Sequence, residues 1–441
     1  MTFSNKTFLK FFILNDHLNC NSKYKFLKCY LVLAYLIIIG ITNSLNAQTQ
    51  STLQFQTNDS VNSKEISYFK HQRDLIDIGY LVLGKNINMR IDSTHTKSSK
   101  IKISASPILE YTISTGVTSG IAANGAFYTS IKKQTNISSF LGAVKYTQKK
   151  QFLLPVQTTI WTPGNKYNFL GDWRYLNFPQ DTYGIGGSTT TANQYTVSYK
   201  YLRFYEMFLK KISNNFYIGT GYQLDHHWGI TELLPPEGSV TDFKKYGYNQ
   251  KSTSSGIAFT VVYDSRKNSI NPEGGSVYGG VQFLQNSKIL GSNTNWNSLL
   301  IDLRKYVTIG HKKNVLAFWF YSVLTLSGNP PYLDLPGSGA DTYNNTGRGY
   351  ENGRFIGKKY MDFETEFRFI ISNNGLLGGV IFCNAASVSE RTNNKFEKVY
   401  PGIGAGLRIK FNKFSNTNTC LDYGFGQRKS RGFSGNLGEV F

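Results

Sequence analysis

MDFETEFRF, residues 361–369, alternates with a period of two. Met361, Phe363, Phe367 and Phe369 fall on one face, and Asp362, Glu364, Glu366 and Arg368 on the other. Successive side chains of a β-strand point to opposite faces, so this stretch is a strand with one apolar and one charged side. The same rhythm runs through IAFTVVYDS (257–265), where Ile257, Phe259, Val261 and Tyr263 share a face, and Ala258, Thr260 and Asp264 the other. In IGAGLRIKF (403–411), Ile403, Ala405, Leu407, Ile409 and Phe411 oppose Gly404, Gly406, Arg408 and Lys410. Alternation alone also suits a water-soluble sandwich. Length and repetition decide against it, because the segments run about ten to twelve residues, the span of a tilted strand through a bilayer.

From residue 102 onward about sixteen such segments follow one another, an even number as single-chain bacterial barrels require. Their centres fall near 108, 124, 141, 156, 171, 200, 219, 259, 280, 301, 320, 365, 381, 406, 421 and 436. The stretches 229–250 and 327–357 are long, polar and rich in Gly, Pro and Asn, as external loops are. NPEGG (271–275) has Pro and Gly where a tight turn needs a fixed or a positive φ. The fold class is therefore all-β: a transmembrane antiparallel β-barrel of about sixteen strands.

Composition agrees. Of 441 residues, 31 are Phe, 29 Tyr and 42 Gly, with only 17% charged. Strand formers dominate, and membrane barrels need aromatic girdles at both interfaces. The formal net charge is +21, but the basic residues are scattered singly among Tyr, Phe, Asn and Ser. That pattern suits anionic lipid headgroups and lipopolysaccharide better than a nucleic-acid groove, so no nucleic-acid partner is expected.

Three regions precede or compose the barrel. Residues 1–47 read as a signal peptide: Lys23, Lys25 and Lys28 precede the apolar run CYLVLAYLIIIGI (29–41), with cleavage expected after Ala47. An uncleaved anchor is the alternative, although the run is shorter than the roughly twenty residues a spanning helix needs. Residues 48–100 form a polar periplasmic lead-in. Within it, Ile66, Phe69, Leu75, Ile76, Ile78, Leu81, Val82 and Leu83 are spaced as one amphipathic helix that Gly84 could end. Its apolar face needs cover, from the barrel mouth, a membrane surface or a periplasmic partner. Residues 101–441 are the barrel. The implied location is the outer membrane of a Gram-negative bacterium.

Chemistry-bearing motifs are weak. GIGAG (402–406) lacks the helix a nucleotide fingerprint requires, and small barrel residues are the better reading. GIGGST (184–189) lacks the phosphate-loop Lys, and DTYNNTGRGYE (341–351) has Tyr343 and Thr346 where a calcium loop needs a ligand and Gly. Asp225, His226 and His227 make the one His cluster, and nothing places a serine beside them. Cys383 and Cys420 are read as small apolar fillers. No catalytic, cofactor or metal residues are assigned.

Four segments resemble the barrel of the BamA/TamA superfamily of outer-membrane assembly and secretion proteins, also called the surface-antigen family. YDSRKNSINPEGG (263–275), with Asp264, Arg266, Pro272 and Gly274, is similar to the family's strand-end and turn segment. GRGYENGRF (347–355) resembles its inward-folded sixth loop, whose Arg-Gly-aromatic tip is here Arg348, Gly349 and Tyr350. FETEFRF (363–369) resembles the strand after that loop. The sequence ends in GFSGNLGEVF, similar to the family's assembly signal, which would set Phe433, Leu437 and Phe441 toward lipid and Ser434 and Asn436 toward the lumen.

Two departures stand out. The roughly fifty residues before the first strand cannot hold the family's POTRA modules, so the chain resembles short Bacteroidetes-type members without them. The family's Phe-x-Asp-x-Gly strand motif reads Phe382, Cys383, Asn384, Ala385, Ala386, replacing one customary acidic partner of the loop Arg.

A guanidinium folded into a partly wet lumen needs a carboxylate fork, and Glu364 and Glu366 offer one, with Asp422 as a further acceptor. A solvated Arg348 is the alternative. The resemblance implies a barrel that assists insertion or translocation of proteins or lipid, working with unfolded outer-membrane or secreted polypeptides and the barrel assembly machinery. A passive, porin-like pore and a membrane-embedded hydrolase are the rival readings.

Overall fold

In the computed structural model, residues 71–84 and 101–441 are described, apart from 113–114, 131–134, 234, 236–237, 239, 248, 311–313 and 414. The expected signal peptide and most of the lead-in, including Ile66 and Phe69, lie outside the described residues.

The chain forms one antiparallel sheet of consecutive neighbours. The strands are β1 (Lys102–Thr112), β2 (Gly116–Phe127), β3 (Ser138–Thr147), β4 (Phe152–Trp161) and β5 (Tyr167–Asn177), then the short β6 (Gln180–Thr182). Next come β7 (Tyr195–Ser213), β8 (Phe216–Leu233), β9 (Lys251–Asp264), β10 (Val277–Asn286), β11 (Trp296–Ile309) and β12 (Asn314–Gly328). The last five are β13 (Lys359–Ile370), β14 (Leu377–Val388), β15 (Tyr400–Asn412), β16 (Thr417–Gly426) and β17 (Arg431–Leu437). β6 only extends the β7 edge, so sixteen strands build the wall, and every centre read from the sequence falls within one. β17 lies within 8 Å of β1 by Cα distance, with no strand register between the two among the described residues.

Alternation is preserved residue by residue. On β13, Tyr360, Asp362, Glu364, Glu366 and Arg368 are buried while their neighbours are partly exposed. On β9, Phe259 and Val261 are exposed and Ala258 is fully buried. Apolar side chains therefore coat the outside and polar ones the lumen, the inverse of a soluble barrel and the pattern a lipid solvent selects.

An even strand count puts both barrel termini at one end, here the terminal end. The opposite, loop end carries the long connections 178–194, 234–250 and 329–358. Among the described residues there are two α-helices, α1 (Leu75–Val82) and the short α2 (Asp242–Gly247), besides four single 3-10 turns. α2 lies in the 234–250 loop and buries Phe243 edge-on against Tyr332, 5.0 Å between ring centroids. These two residues join Ile185, Tyr195, Ile230 and Ile356 in an apolar cluster that ties the three long loops together.

Helix α1 forms the later part of the helix expected over 66–83, and its apolar face is not covered by the barrel mouth. Asp74 caps the helix by accepting from Asp77 N at 2.7 Å, and both aspartates are completely buried. Leu75, Ile78, Leu81, Val82 and Leu83 are exposed instead. The acidic edge docks because Lys413, in the β15–β16 turn, donates its backbone N–H to Asp74 and its ammonium to Asp77, each at 2.8 Å.

Candidate functional site

The loop 329–358 folds inward, stitched by its own backbone. Asp341 accepts from Asn345 N and Thr346 N at 2.7 Å through one oxygen and from Tyr343 N through the other. Gly347 and Gly349 have φ of +77° and +96°, a region that side chains resist. Between these two glycines the chain turns sharply enough to thrust Arg348 at the lumen wall.

The guanidinium enters a carboxylate cage. Its Nη1 donates to Asp422 at 2.8 Å, and its Nη2 donates to Glu366 at 2.5 Å and to Glu364. The Phe382 ring lies 3.7 Å from its central carbon. Further cations surround the acids: Arg368 pairs with Glu366 at 2.6 Å and Arg408 with Asp422 at 2.5 Å. Arg408 also reaches Glu439 at 2.8 Å. Three guanidiniums thus share four carboxylates in a water-poor space, where each charge depends on its partners.

The loop tip sits on a glycine seat. A Cβ on Gly402 would come 2.6 Å from Arg348 O, one on Gly424 would come 2.8 Å from Gly349 Cα, and one on Gly426 would come 2.6 Å from the Tyr350 ring. Tyr350 donates its hydroxyl to Pro401 O at 2.7 Å and accepts from Gln427 N at 2.8 Å. Ser430 Oγ donates to Gly349 O at 2.7 Å. Asn384 donates its amide to Arg348 O at 2.8 Å, a bond that a carboxylate at this position could not make. The structure thus brings Arg348, Gly349, Tyr350, Glu364, Glu366 and Asp422 together. Sequence reading missed the seat: Gly402 was visible as part of GIGAG, but its contact is made by a loop more than fifty residues away.

The turn residues lie elsewhere, at the terminal end. Asp264 and Arg266 form a two-pronged pair, both bonds 2.9 Å, with Arg266 over the Tyr278 ring. A Cβ on Gly274 would strike Thr308, and Pro272 is buried. The same turn crosses toward β15–β16: Asn268 donates to Ser415 O at 2.8 Å and Asn271 to Asn416 O at 3.0 Å. Acid-x-Arg pairs recur along the lumen wall, at Asp172 and Arg174, Asp302 and Arg304, and Glu366 and Arg368. At Asp172 and Asp302 that repeat was a readable signal that the sequence reading did not use.

The third group is divided. Phe433 and Leu437 are exposed on the outside of β17, as lipid-facing residues should be, but Phe441 is only 2% exposed. After Leu437 the chain turns at Gly438 (φ +98°) and enters the lumen. Phe441 stacks on Trp319 at 5.1 Å between centroids, its backbone O accepts from Arg368 at 2.7 Å, and Val440 O accepts from Asn345 at 2.9 Å. The lipid-facing reading of Phe441 is therefore corrected. Alternation holds only while the strand lasts, and lumenal Trp319 and Tyr306 offer an aromatic ring better burial than a strand end does.

In the His cluster, His226 Nδ1 lies 2.8 Å from Thr253 Oγ1. His227 stacks on Tyr201 at 4.3 Å and lies 3.7 Å from Asp334, but Ser254 donates to Asp334, not to the imidazole. Burial, reinforced by the charge of Asp225, holds the loop carboxyl of Asp334 well above the usual carboxylate range. Cys383 and Cys420 are both free.

A sixteen-strand wall with an apolar exterior and an Arg-tipped loop folded against its lumenal face defines a transmembrane β-barrel with an inward loop. The chain belongs to the Omp85 superfamily, whose domain matches residues 142–441. Among solved structures it is similar to BamA from Haemophilus ducreyi lacking POTRA domains 1-3, with 13% identity over 79% of this chain and 77% of that one, TM-score 0.49. It is also similar to CdiB from Acinetobacter baumannii, with 11% identity over 78% of this chain and 66% of that one, TM-score 0.49. Curated proteins give no match.

Proposed function

We propose that this barrel resides in the outer membrane of a Gram-negative bacterium and assists the insertion or translocation of polypeptide there, without catalysing covalent chemistry. The observation that carries the reading is the caged Arg348 tip. A loop held by three carboxylates and a glycine seat is a built closure: on its release Glu366 keeps Arg368 and Asp422 keeps Arg408, while Glu364 loses its cation, so the closed state is strongly favoured yet has one identifiable contact to give up. Superfamily membership supports the same class of role. A passive pore fits less well, since the Arg348 loop tip and the inward segment 439–441 both reach into the lumen.

The partners in this reading are outer-membrane lipid and lipopolysaccharide, the barrel assembly machinery that folds the chain, and unfolded outer-membrane or secreted proteins as clients. Depletion followed by quantitative proteomics of the outer membrane tests it. Selective loss of a set of envelope proteins is expected; an unchanged outer-membrane proteome with altered small-solute uptake would favour the pore instead.

A further inference from the structure

Helix α1 is docked with its polarity reversed, and the reversal points to what it touches. The edge formed by Asp74 and Asp77 is fixed by Lys413, whose ammonium and Asp77 carboxylate are both fully buried. The start of the helix is pinned to the β13–β14 turn, where Arg73 N donates to Asn374 O at 3.0 Å. With that edge committed to the barrel rim, Leu75, Ile78 and Val82, at i, i+3 and i+7, form an exposed stripe beside it, and Leu81 and Leu83 are exposed as well. Val82 is 80% and Leu83 70% exposed.

Four large apolar side chains exposed on an eight-residue helix, with Leu83 just beyond its end, are more than so short a helix leaves in water. The stripe is not isolated. The hairpin that receives the helix carries Ile371 and Leu377 exposed, Leu377 on the outward parity of β14 that Ile381 continues into the lipid-facing belt. The helix therefore continues an apolar surface whose solvent is already established as lipid. A protein partner fits less well, because two helical turns are small beside the roughly 800 Å² per side of a stable protein interface.

We infer that α1 is a membrane-interface foot: it lies at the headgroup–acyl boundary of the leaflet at the terminal end, its leucine-rich face in lipid and its aspartates clamped to the barrel by Lys413. Amphipathic helices bury such a face about 5–10 Å into that boundary. The Asp77–Lys413 pair sets which way the face looks, so it is a positioning contact.

The test replaces Val82 with p-benzoylphenylalanine in the full chain and irradiates intact cells, with the same substitution at the lipid-facing Phe259 as a positive control. The expected product is a mass increase of one phospholipid at position 82, at a yield comparable to position 259. Loss of that adduct is expected when Lys413→Met is combined with the probe, with the barrel still heat-modifiable. A discrete protein-sized crosslink at position 82, or no adduct while position 259 is labelled, would overturn the proposal.

Discussion

Glu364 on β13 is paired with Arg348 and, among the described residues, has no other ion-pair partner. Glu366 keeps Arg368, and Asp422 keeps Arg408, when the loop Arg is removed. Arg348→Ala should therefore strand one buried carboxylate in particular, costing about 3–5 kcal/mol if the cage stays dry and less if water enters. The double variant Arg348→Ala/Glu364→Gln should recover part of that loss, while Arg348→Ala/Glu366→Gln should not, because it takes the nearer acid from Arg368 and leaves it only Glu439 at 3.7 Å. Denaturant unfolding of these three variants and of Glu364→Gln and Glu366→Gln alone, in detergent micelles or liposomes, measures the coupling. Additive losses would mean that the pairs are independent.

The glycine seat predicts a steric effect with no change of charge. Gly424→Ala places a methyl group 2.8 Å from the Gly349 backbone and should push the tip out of the lumen. Gly279→Ala, whose Cβ would meet only Leu303 at 3.5 Å, is the matched control. Limited proteolysis of the 329–358 loop should be faster in the first variant and unchanged in the second.

The inward turn at Gly438 makes Phe441 a core residue. Phe441→Ala should cost about 3–5 kcal/mol, as large-to-small changes in packed interiors do. Phe433→Ala, on the lipid side of β17, should cost less, because lipid fills the space. Comparable losses at the two positions would contradict the lumenal placement.

Wall register is tested with charge. Phe259→Arg sets a cation in lipid and should cost about 2–4 kcal/mol near the midplane, whereas Thr260→Arg, on the lumen side, should be far milder. The readout is the folded fraction on refolding into liposomes.

Asp334 offers a pH dependence at the loop end. Its carboxyl titrates well above the ordinary range because it is buried beside Asp225. A raised carboxyl makes the folded loop costlier once it ionises, so this cost grows as pH rises through the ordinary carboxylate value toward the raised one. Asp334→Asn should remove that dependence and leave loop proteolysis at high pH slower than in the parent.

The strands were legible because a lipid-facing barrel repeats one period-two rule sixteen times, and each segment repeats the evidence of the last. The cage acids were legible because Glu364 and Glu366 stand on the charged face of MDFETEFRF. Helix α2 was not, since six residues carry little local signal and it persists through Phe243 packing on Tyr332 and Asp242 accepting from Ile185 N. The direction of the α1 face was also hidden, because an amphipathic period shows that two faces differ but not which one meets the protein. Phe441 was misplaced because alternation was carried past Gly438, where the strand had ended.

The central claim is that a barrel closed by the Arg348 loop handles polypeptide. The direct measurement is the folding rate of an unfolded outer-membrane barrel added to liposomes containing the purified protein, compared with empty liposomes and with liposomes containing Arg348→Ala. The account predicts faster client folding with the parent protein, reduced by the substitution. Equal rates in all three preparations, together with a steady open conductance for the parent, would contradict it.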